Sequence, residues 1–498
     1  MGAESAPIYL DHAATTPVDP RVVRRMADVL ALPLGNAAAI HAPGLAAHAL
    51  VESSRAQVAA LVGAAAEDIV FTSGATESNN LAIAGTARLA LQRGAKPHFI
   101  TLATEHKSVL EPVRALQAQG VAVSILRPGA GGLLDPQSLA AALRPETALV
   151  SLLHVNNETG VAQDMAALAA VCAARGVPLH VDCCQSAGKL PLTVEGLALL
   201  SFTAHKLGGP QGIGALYVSP VHRGRLAPQM LGGGHERGLR AGTLAVHQIA
   251  GFGLAAELAA MHREAEARRV AALRDRLWSG LSRLPGVLLN GHASARAPHI
   301  LNLSFEGIEG ESLFAALPGL ILSTGSACNS RSAEPSFVLR ALGRDTELAQ
   351  SSLRFSLGRG TTEADIDAAI QAVEAAHATL RGRSPAQPLP LEGWPTGPGA
   401  ELWVGEGGAQ RLGAWVRFVA LATDGLVREA RVQVYGCPHT VAASNLACGQ
   451  LAGRRAGIPP GNPQEWLQAV KGPVEKLGRM LNIEDAIRAM QRTPWPSR

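Results

Sequence analysis

The sequence is poor in several residue types that mark specialised classes of protein. Aromatic residues make up 4% of its 498 residues, charged residues make up 17%, and the formal net charge is only +4. No basic cluster with interleaved aromatic residues occurs, so nucleic-acid binding has no support. The six cysteines show neither the pattern of a disulfide framework nor the paired CxxC spacing of a zinc site. We therefore expect reduced thiols and predict no bound metal.

Long apolar runs are absent as well. The longest apolar stretch, residues 165–174, ends at Arg175 and is too short to cross a bilayer. The N-terminus lacks the basic region followed by an apolar region that a secretory signal would have. These absences lead us to expect a cytoplasmic protein without membrane attachment. With 47% apolar residues, a chain of 498 residues can bury a large core, and we expect two or three domains.

The sequence does contain a lysine placed directly after an apolar strand. Residues 197–202 are an apolar run of the kind found in buried parallel strands, and ligands bind beyond the carboxyl ends of such strands. Lys206 falls at that end and is followed by glycines. A lysine there can form a Schiff base with an aldehyde cofactor, above all pyridoxal phosphate. Alone this is weak support, because most lysines are solvated surface charges.

A carboxylate at the end of the preceding apolar segment strengthens the interpretation. Residues 177–182 predict another short strand, and it ends in Asp182. The distance along the chain from Asp182 to Lys206 suits two neighbouring strand–helix units. Asp182 can then pair with the protonated pyridine nitrogen of the cofactor, which keeps the ring electron-withdrawing.

Four separated segments together resemble the pyridoxal-phosphate-dependent cysteine desulfurases of the class V aminotransferase family. They are Thr-Ala-His-Lys at 203–206, His-Val-Asp-Cys-Cys-Gln at 180–185, Ala-Thr-Glu-His-Lys at 103–107 and Gly-Ser-Ala-Cys at 325–328. The resemblance runs from about residue 8 to about residue 380. It implies an α/β protein, a fold-type I PLP-dependent transferase with a large, mostly parallel sheet domain at about 15–260. A small α/β domain is expected at about 265–383 together with the N-terminal segment, so that residues 1–383 form the enzyme.

The resemblance also implies three catalytic residues. Lys206 carries the cofactor, His106 stacks on its ring and helps proton transfer, and Cys328 is the sulphur nucleophile in a long polar loop, as in the long-loop class. A histidine that merely follows a strand and an incidental surface cysteine are the structural alternatives for the last two. Arg331, close to Cys328 in the sequence, would favour the thiolate. We interpret the neighbouring Cys183 and Cys184 as packing residues.

The expected cofactor-binding residues follow from the same resemblance. They are Ala75, Thr76, Asn157, Asp182, Gln185, Thr203, His205 and, from a second subunit, Thr243. Small residues at 73–80 before a helix that we expect to begin at Leu81 suggest a phosphate site, although an ordinary N-cap is the alternative. Asn157 is also expected to contact substrate, with a plain turn as the alternative. Arg354 on an apolar strand is expected to bind the substrate carboxylate, because a buried arginine needs one. The role given to Thr243 implies a homodimer.

The end of the chain forms a separate unit. Five prolines with glycines fall at 384–399, which predicts a linker over 384–411 and a small α+β C-terminal domain over 412–498. Tyr-Gly-Cys-Pro-His at 435–439 and Ile-Glu-Asp-Ala-Ile at 483–487 resemble the iron–sulphur cluster scaffold proteins. Of the three cysteines usual there, only Cys437 is present, and Arg479 stands near the place of another. Because a cluster needs several thiolates, we interpret this domain as a degenerate scaffold.

The activity implied is the conversion of L-cysteine to L-alanine with transfer of sulphur to Cys328 as a persulfide. The sulphur would pass to an acceptor protein such as an iron–sulphur scaffold, or to related thio-cofactors. One alternative is a selenocysteine lyase or a related aminotransferase-like enzyme, whose reactions can proceed without Cys328. The other is a non-catalytic assembly platform, against which the intact Lys206, Asp182 and Arg354 argue.

Overall fold

The computed structural model describes residues 6–324, 334–382, 389–391, 393–395 and 398–494. Within these ranges, no helix combines the length and the apolar composition that crossing a bilayer requires. The chain opens with β1 (Ile8–Tyr9), α1 (Pro20–Ala31) and α2 (Ala42–Val62). Asp19 caps α1, accepting from the amide of Arg21, and Pro20 occupies the first turn.

The large domain is built around a mostly parallel sheet. Its strands are β2 (Ile69–Thr72), β3 (His98–Leu102), β4 (Ala122–Leu126), β5 (Thr147–Leu153), β6 (Leu179–Asp182), β7 (Leu199–Thr203) and β8 (Gly214–Val218). The strand order is β2-β8-β7-β6-β5-β3-β4, and β8 runs antiparallel to both of its neighbours. The covering helices are α3 (Ala75–Gln92), α4 (Lys107–Ala118), α5 (Pro136–Ala142) and α6 (Met165–Ala173). Apolar clusters pack on both faces, which explains why these strands read as continuous apolar runs.

A long helix, α7 (Val246–Leu281), leads from the large domain to the small one. The small domain has an antiparallel sheet of β9 (Val287–Leu289), β10 (Ile300–Phe305), β12 (Ser323–Thr324) and β13 (Ser352–Ser356). Its helices are α8 (Gly310–Ala315), α9 (Phe337–Ala341), α10 (Thr346–Gln350) and α11 (Glu363–Arg381). β1 pairs in parallel with β11 (Leu320–Ile321), so the N-terminal segment joins the small domain.

The C-terminal unit is a sheet covered by helices. Its strands are β14 (Ala400–Ala409), β15 (Ala414–Thr423), β16 (Leu426–Tyr435) and β17 (Gln491–Thr493), in the order β16-β15-β14-β17. Its helices are α12 (Pro438–Gly449), α13 (Pro463–Ala469) and α14 (Leu477–Arg488). A turn at Asp424-Gly425 joins β15 to β16, with both residues at positive φ, as a tight hairpin requires.

Residues 400–411 are not linker, contrary to the sequence expectation. β14 pairs with β15 along its whole length, from Ala400 opposite Thr423 to Ala409 opposite Ala414. The glycines that made this stretch look irregular have a packing role. A Cβ at Gly405 or Gly407 would lie 2.2 Å from a backbone oxygen of α14, so glycine lets that helix approach the strand.

Candidate active site

The predicted site lies at the carboxyl edge of the large sheet. β5, β6 and β7 are parallel neighbours, so their final residues meet there. Asp182 ends β6, and Lys206 ends the short 3₁₀ turn that follows β7. A cavity of about 450 Å³ opens at this edge. The predicted residues that line it are Ala75, Thr76, His106, Asn157, Asp182, Gln185, Thr203, His205 and Lys206.

Two further predicted residues, Arg354 and Thr243, are not among the described residues that line this cavity. Cys328 and Arg331 belong to residues 325–333, which lie outside the described residues. Arg354 lies on β13 of the small domain, and its guanidinium donates to the backbone oxygen of Asn157 at 2.9 Å. Thr243 is exposed in the loop before α7. The structure therefore connects Arg354 to the cavity through one contact and leaves Thr243 at the surface.

The helix at the phosphate end begins earlier than the sequence suggested. α3 begins at Ala75 and not at Leu81. The polar stretch was mistaken for a loop, but its side chains stabilise the helix start. The Ser78 and Thr72 hydroxyls are 2.8 Å apart, and the amide of Ser73 donates to the Glu77 carboxylate at 2.7 Å. The amides of the first turn are free of intrahelical partners and lie at the positive end of the helix dipole, so they suit an anion.

A carboxylate also lines this end of the cavity, and a guanidinium pairs with it. Glu77 accepts from Nε of Arg240 at 3.0 Å. Burial opposes ionisation of Glu77, but hydrogen bonds from Arg240 and Ser73 outweigh it and lower the pKa of the carboxyl. Arg240 thus offsets a negative charge beside the helix N-terminus. Nothing in the sequence indicated this pair, because Glu77 and Arg240 are distant in the chain.

Asp182 is held as a carboxylate inside the protein. It is 6% exposed and accepts from the amide of Cys184 at 2.9 Å and from Nδ2 of Asn79 at 2.8 Å. Burial alone would raise the pKa of this carboxyl, but those hydrogen bonds and nearby His106 lower it below the ordinary range. A buried carboxylate that stays ionised is the partner that a protonated pyridine nitrogen needs.

Two polar residues that sequence reasoning missed connect Asp182 to His106. Asn79 is fully buried, and its Nδ2 donates to Asp182 and also to Oγ of Ser108, each at 2.8 Å. Oγ of Ser108 lies 2.8 Å from Nδ1 of His106. Both residues belong to segments that carried the resemblance or bordered it. The signal that could have identified Asn79 is its burial on the inner face of α3, because a buried amide requires hydrogen-bond partners.

His106 caps α4 and has a defined tautomer. Its Nδ1 accepts from the amide of Ser108 at 3.1 Å, so in the neutral ring Nε2 carries the proton. Burial lowers the pKa of His106, Asp182 opposes that effect, and Lys206 adds to it. The side chain therefore remains a neutral imidazole below the pH at which an exposed histidine would take up a proton.

Gln185, Thr203 and His205 are already engaged by the protein. Gln185 donates from Nε2 to the carbonyl of Ala13 at 2.9 Å, and Thr203 donates to the carbonyl of Ile213 at 3.1 Å. Nδ1 of His205 lies 3.1 Å from the Thr15 hydroxyl. Burial, then Lys206 and Lys189, lowers the pKa of His205 to about 4. These contacts fix each side chain at the cavity wall.

The thiols after Asp182 are held in the protonated form. Cys183 packs in the core of the large domain, whereas Cys184 lines the cavity. Burial, followed for Cys184 by the charge of Asp182, raises the pKa of both thiols. Neither therefore has the thiolate that a sulphur nucleophile needs at neutral pH.

The residues present fit pyridoxal phosphate. The cavity combines an amine at Lys206, a buried carboxylate at Asp182, an imidazole at His106 and a helix N-terminus at Ala75 and Thr76. An aldehyde, a pyridine nitrogen, a ring face and a phosphate require these four groups. The orphaned Oδ1 of buried Asn79 adds a polar atom on the Asp182 side.

Comparison with known proteins independently finds the class-V aminotransferases and the cysteine desulfurases. The class-V aminotransferase family matches residues 8–369. The cysteine desulfurase IscS of Photorhabdus laumondii is 52% identical over 384 residues, covering 76% of this chain and 95% of that protein. A solved NifS-like protein has a TM-score of 0.70 at 33% identity, covering 75% of this chain and 100% of that one. SspA, solved in complex with cysteine, has a TM-score of 0.64 at 35% identity, covering 70% and 99% of the two chains.

Proposed function

The chain belongs to the class-V aminotransferase family and is a pyridoxal-phosphate-dependent cysteine desulfurase of fold type I, and we propose that it carries the substrate sulphur as a persulfide on Cys328. The observation that carries this proposal is the cavity in which Lys206 and the buried carboxylate of Asp182 lie together. The family likeness covers the catalytic part of the chain, and the Gly-Ser-Ala-Cys segment supplies the thiol.

Each residue of the site has one task in this proposal. Asp182, which accepts from Asn79, would hold the pyridine nitrogen in its protonated form, and the first turn of α3 would hold the phosphate. The cofactor, when bound, supplies an electron sink for the carbon that bears the amine. Lys206 and Nε2 of His106 would hold and move protons in this cavity. Arg354 and Asn157 bind the substrate carboxylate.

Arg354 is pre-organised for that task. Its side chain is 3% exposed, and Nη2 donates to Oδ1 of Asp11 at 2.7 Å and to Oγ of Ser323 at 3.0 Å. Its Nε has no hydrogen-bond partner among the described residues. A guanidinium that is anchored at Nη2 and unpaired at Nε can still donate hydrogen bonds to a second carboxylate, because its planar group carries five N–H donors.

We propose a homodimer in which Thr243 completes the phosphate site of the partner subunit. Thr243 is exposed in the loop that leads into α7, so a second subunit can reach it. The cytoplasm, with its reduced thiols, is the compartment we propose.

We propose that the C-terminal unit is a degenerate scaffold domain docked on the small domain. Nη1 of Arg479 lies 3.3 Å from Glu309, and Nζ of Lys476 lies 2.5 Å from Glu311. The Ser312 hydroxyl donates to the carbonyl of Gly436 at 2.7 Å. Cys437, next to that carbonyl, is fully buried, so it would receive sulphur only if this contact opened. Regulation of access for an external iron–sulphur scaffold is therefore the preferred role.

The purified enzyme tests the function directly. Incubation with L-cysteine should give L-alanine, together with sulphide when a reducing thiol is present. Selenocysteine serves as the parallel substrate. Alanine formed from selenocysteine alone would replace the proposal with the lyase alternative, and no alanine from either substrate would leave only the platform alternative.

A further inference from the structure

The glycine-rich segment before α7 contains two residues with side chains in the left-handed backbone region. Glu236 has a φ of 48° and Arg237 has a φ of 57°. Such conformations are unfavourable for residues other than glycine, and they persist only where surrounding contacts fix them. The contacts that hold this backbone therefore indicate what the segment does.

Glu236 anchors the segment to the edge of the large sheet. Its carboxylate accepts from the amide of Phe71 at 2.6 Å and from both terminal nitrogens of Arg55, at 2.7 Å and 2.8 Å. The side chains of Glu236 and Arg55 are 1% and 3% exposed. Nη1 of Arg237 donates to the carbonyl of Ile69 at 3.1 Å. Because β2 is at the edge of its sheet, these side chains cover its main-chain groups in place of a further strand.

Arg240 makes a second attachment, to the helix that follows β2. Its Nε donates to Oε1 of Glu77 at 3.0 Å, and both side chains are partly buried. Leu239 packs in the apolar cluster that contains Val70 of β2. The segment therefore contacts β2 before the turn at 73–76 and α3 after it.

Glu77 has two opposite effects on the proposed phosphate site. Its Oε2 accepts from the amide of Ser73 at 2.7 Å, which stabilises the turn at 73–76. The same carboxylate lines the cofactor cavity, where a negative charge repels a phosphate. Asp182, the other carboxylate among the described lining residues, is assigned to the pyridine nitrogen. The turn therefore needs a cation at Glu77, and Arg240 pairs with it.

We propose that Arg240 is a positioning residue that neutralises Glu77 beside the cofactor phosphate, and that Glu236 anchors the segment that carries it. The anchor fixes the backbone from which Arg240 reaches Glu77. Removal of Arg240 leaves an uncompensated carboxylate beside the phosphate, whereas neutralising Glu77 as well removes the repulsion. This role rests on the proposed binding of the phosphate by the first turn of α3, and it makes cofactor retention depend on a segment distant in the chain.

Release of the cofactor from the holoenzyme measures this effect. Enzyme loaded with pyridoxal phosphate is dialysed against cofactor-free buffer, and the loss of its visible absorption is followed with time. Arg240→Met should release the cofactor roughly tenfold faster than the parent, because two negative charges then face each other in a partly buried site. Arg268→Met, which removes an exposed pair with Glu264, is the matched control and should release it at the parental rate.

A double variant tests whether the charge of Glu77 is the cause. Glutamine at this position keeps an acceptor for the amide of Ser73 but carries no charge. Arg240→Met combined with Glu77→Gln should therefore return to nearly the parental rate of release. A loss of packing at Arg240 would not be reversed by this second change.

Pyridoxal, which lacks the phosphate, separates positioning from general structural damage. Enzyme loaded with pyridoxal should lose it equally fast in Arg240→Met and in the parent, because no phosphate is present to be repelled. Glu236→Gln leaves Arg55 without its counter-charge and should accelerate release of pyridoxal phosphate more than release of pyridoxal. Parental release of pyridoxal phosphate from Glu236→Gln would refute the anchor.

Three results would overturn the role of Arg240, even if Glu236→Gln does not fold. They are parental release of pyridoxal phosphate from Arg240→Met, equal acceleration for pyridoxal phosphate and pyridoxal, and no recovery in the double variant. Equal release of the two compounds by the parent would show that the first turn of α3 does not bind phosphate, and the proposed site would fail together with this role. Phosphate-dependent release in the parent that Arg240→Met leaves unchanged would refute the role of Arg240 alone.

Discussion

Nη2 of Arg354 donates to Oδ1 of Asp11 at 2.7 Å, which joins a strand of the small domain to the N-terminal segment. The arginine that was expected to bind the substrate carboxylate therefore has a carboxylate of its own chain beside it. Asp11 fixes the guanidinium at the cavity edge, and the substrate carboxylate would be a second anion on the same fork.

Replacing Arg354 with alanine should weaken binding of L-cysteine far more than it changes the cofactor. Truncating one partner of a buried charge pair costs about 2 to 5 kcal/mol, because the other charge remains buried and unpaired. The Michaelis constant should rise by roughly the corresponding factor of tens or more. Arg276→Ala, which removes an exposed pair with Asp367, is the control. An unchanged Michaelis constant in Arg354→Ala would contradict the carboxylate role.

Replacing Lys206 with alanine should abolish the visible absorption of the lysine-bound cofactor together with turnover. Among the described residues, Lys206 is the lysine that lines the cofactor cavity. The ultraviolet–visible spectrum after addition of pyridoxal phosphate is the measurement, and Lys96→Ala is the matched control. Parental colour and parental activity in Lys206→Ala would refute the assignment.

Stability should fall as the pH is lowered below neutrality because of buried histidines. His180 is fully buried between the Ser151 and Ser201 hydroxyls, each 2.8 Å away, and burial lowers its pKa to about 4. Between the unfolded value of about 6.5 and this folded value, the unfolded chain binds the extra proton, so acid favours unfolding. The loss from one such group is of the order of 3 kcal/mol when complete.

Denaturant unfolding at several pH values between 4 and 8 measures this effect. His180→Gln keeps a polar side chain but cannot titrate, so its stability should depend less steeply on pH than that of the parent. An exposed histidine supplies the control, and His48→Gln serves here. Equal slopes in His180→Gln and the parent would show that His180 does not contribute.

Removing the C-terminal unit should change sulphur delivery more than sulphur production. A chain truncated after Gly382 retains the cavity, whereas it loses the contacts of Arg479 and Lys476 with the small domain. We expect parental alanine formation and faster transfer to a separate scaffold protein. Full-length Cys437→Ser should behave as the parent does if the unit regulates access.

The same comparison separates the alternatives for the C-terminal unit. Loss of transfer in Cys437→Ser alone would establish a relay through that thiol. Identical transfer by the parent, the truncated chain and Cys437→Ser would reduce the unit to a structural appendage. Charge reversal at Glu309, with and without reversal at Arg479, tests whether their contact holds the unit in place.

The meeting of Lys206 and Asp182 could be predicted from the local sequence. Each residue follows an apolar strand, and the carboxyl ends of parallel strands lie at one edge of the sheet. Asn79 was missed because its importance comes from partners distant in the chain, Asp182 and Ser108. β14 was missed because glycine in a strand looks like a loop until the helix that packs on it is known.

Arg354 shows a further limit of prediction from the sequence. Its need for a carboxylate was clear, but which carboxylate supplies it depends on the fold that brings Asp11 to β13.

The most direct test of the account is a single turnover of the purified enzyme with L-cysteine, followed by mass spectrometry of the peptide that contains Cys328. The account predicts one added sulphur atom on Cys328, formed in step with L-alanine. Cys328→Ser should keep the cofactor and its spectral response to cysteine but form no persulfide, while Cys448→Ser should match the parent. Alanine formed at the parental rate with no sulphur on Cys328, or sulphide released at the parental rate by Cys328→Ser, would contradict the account.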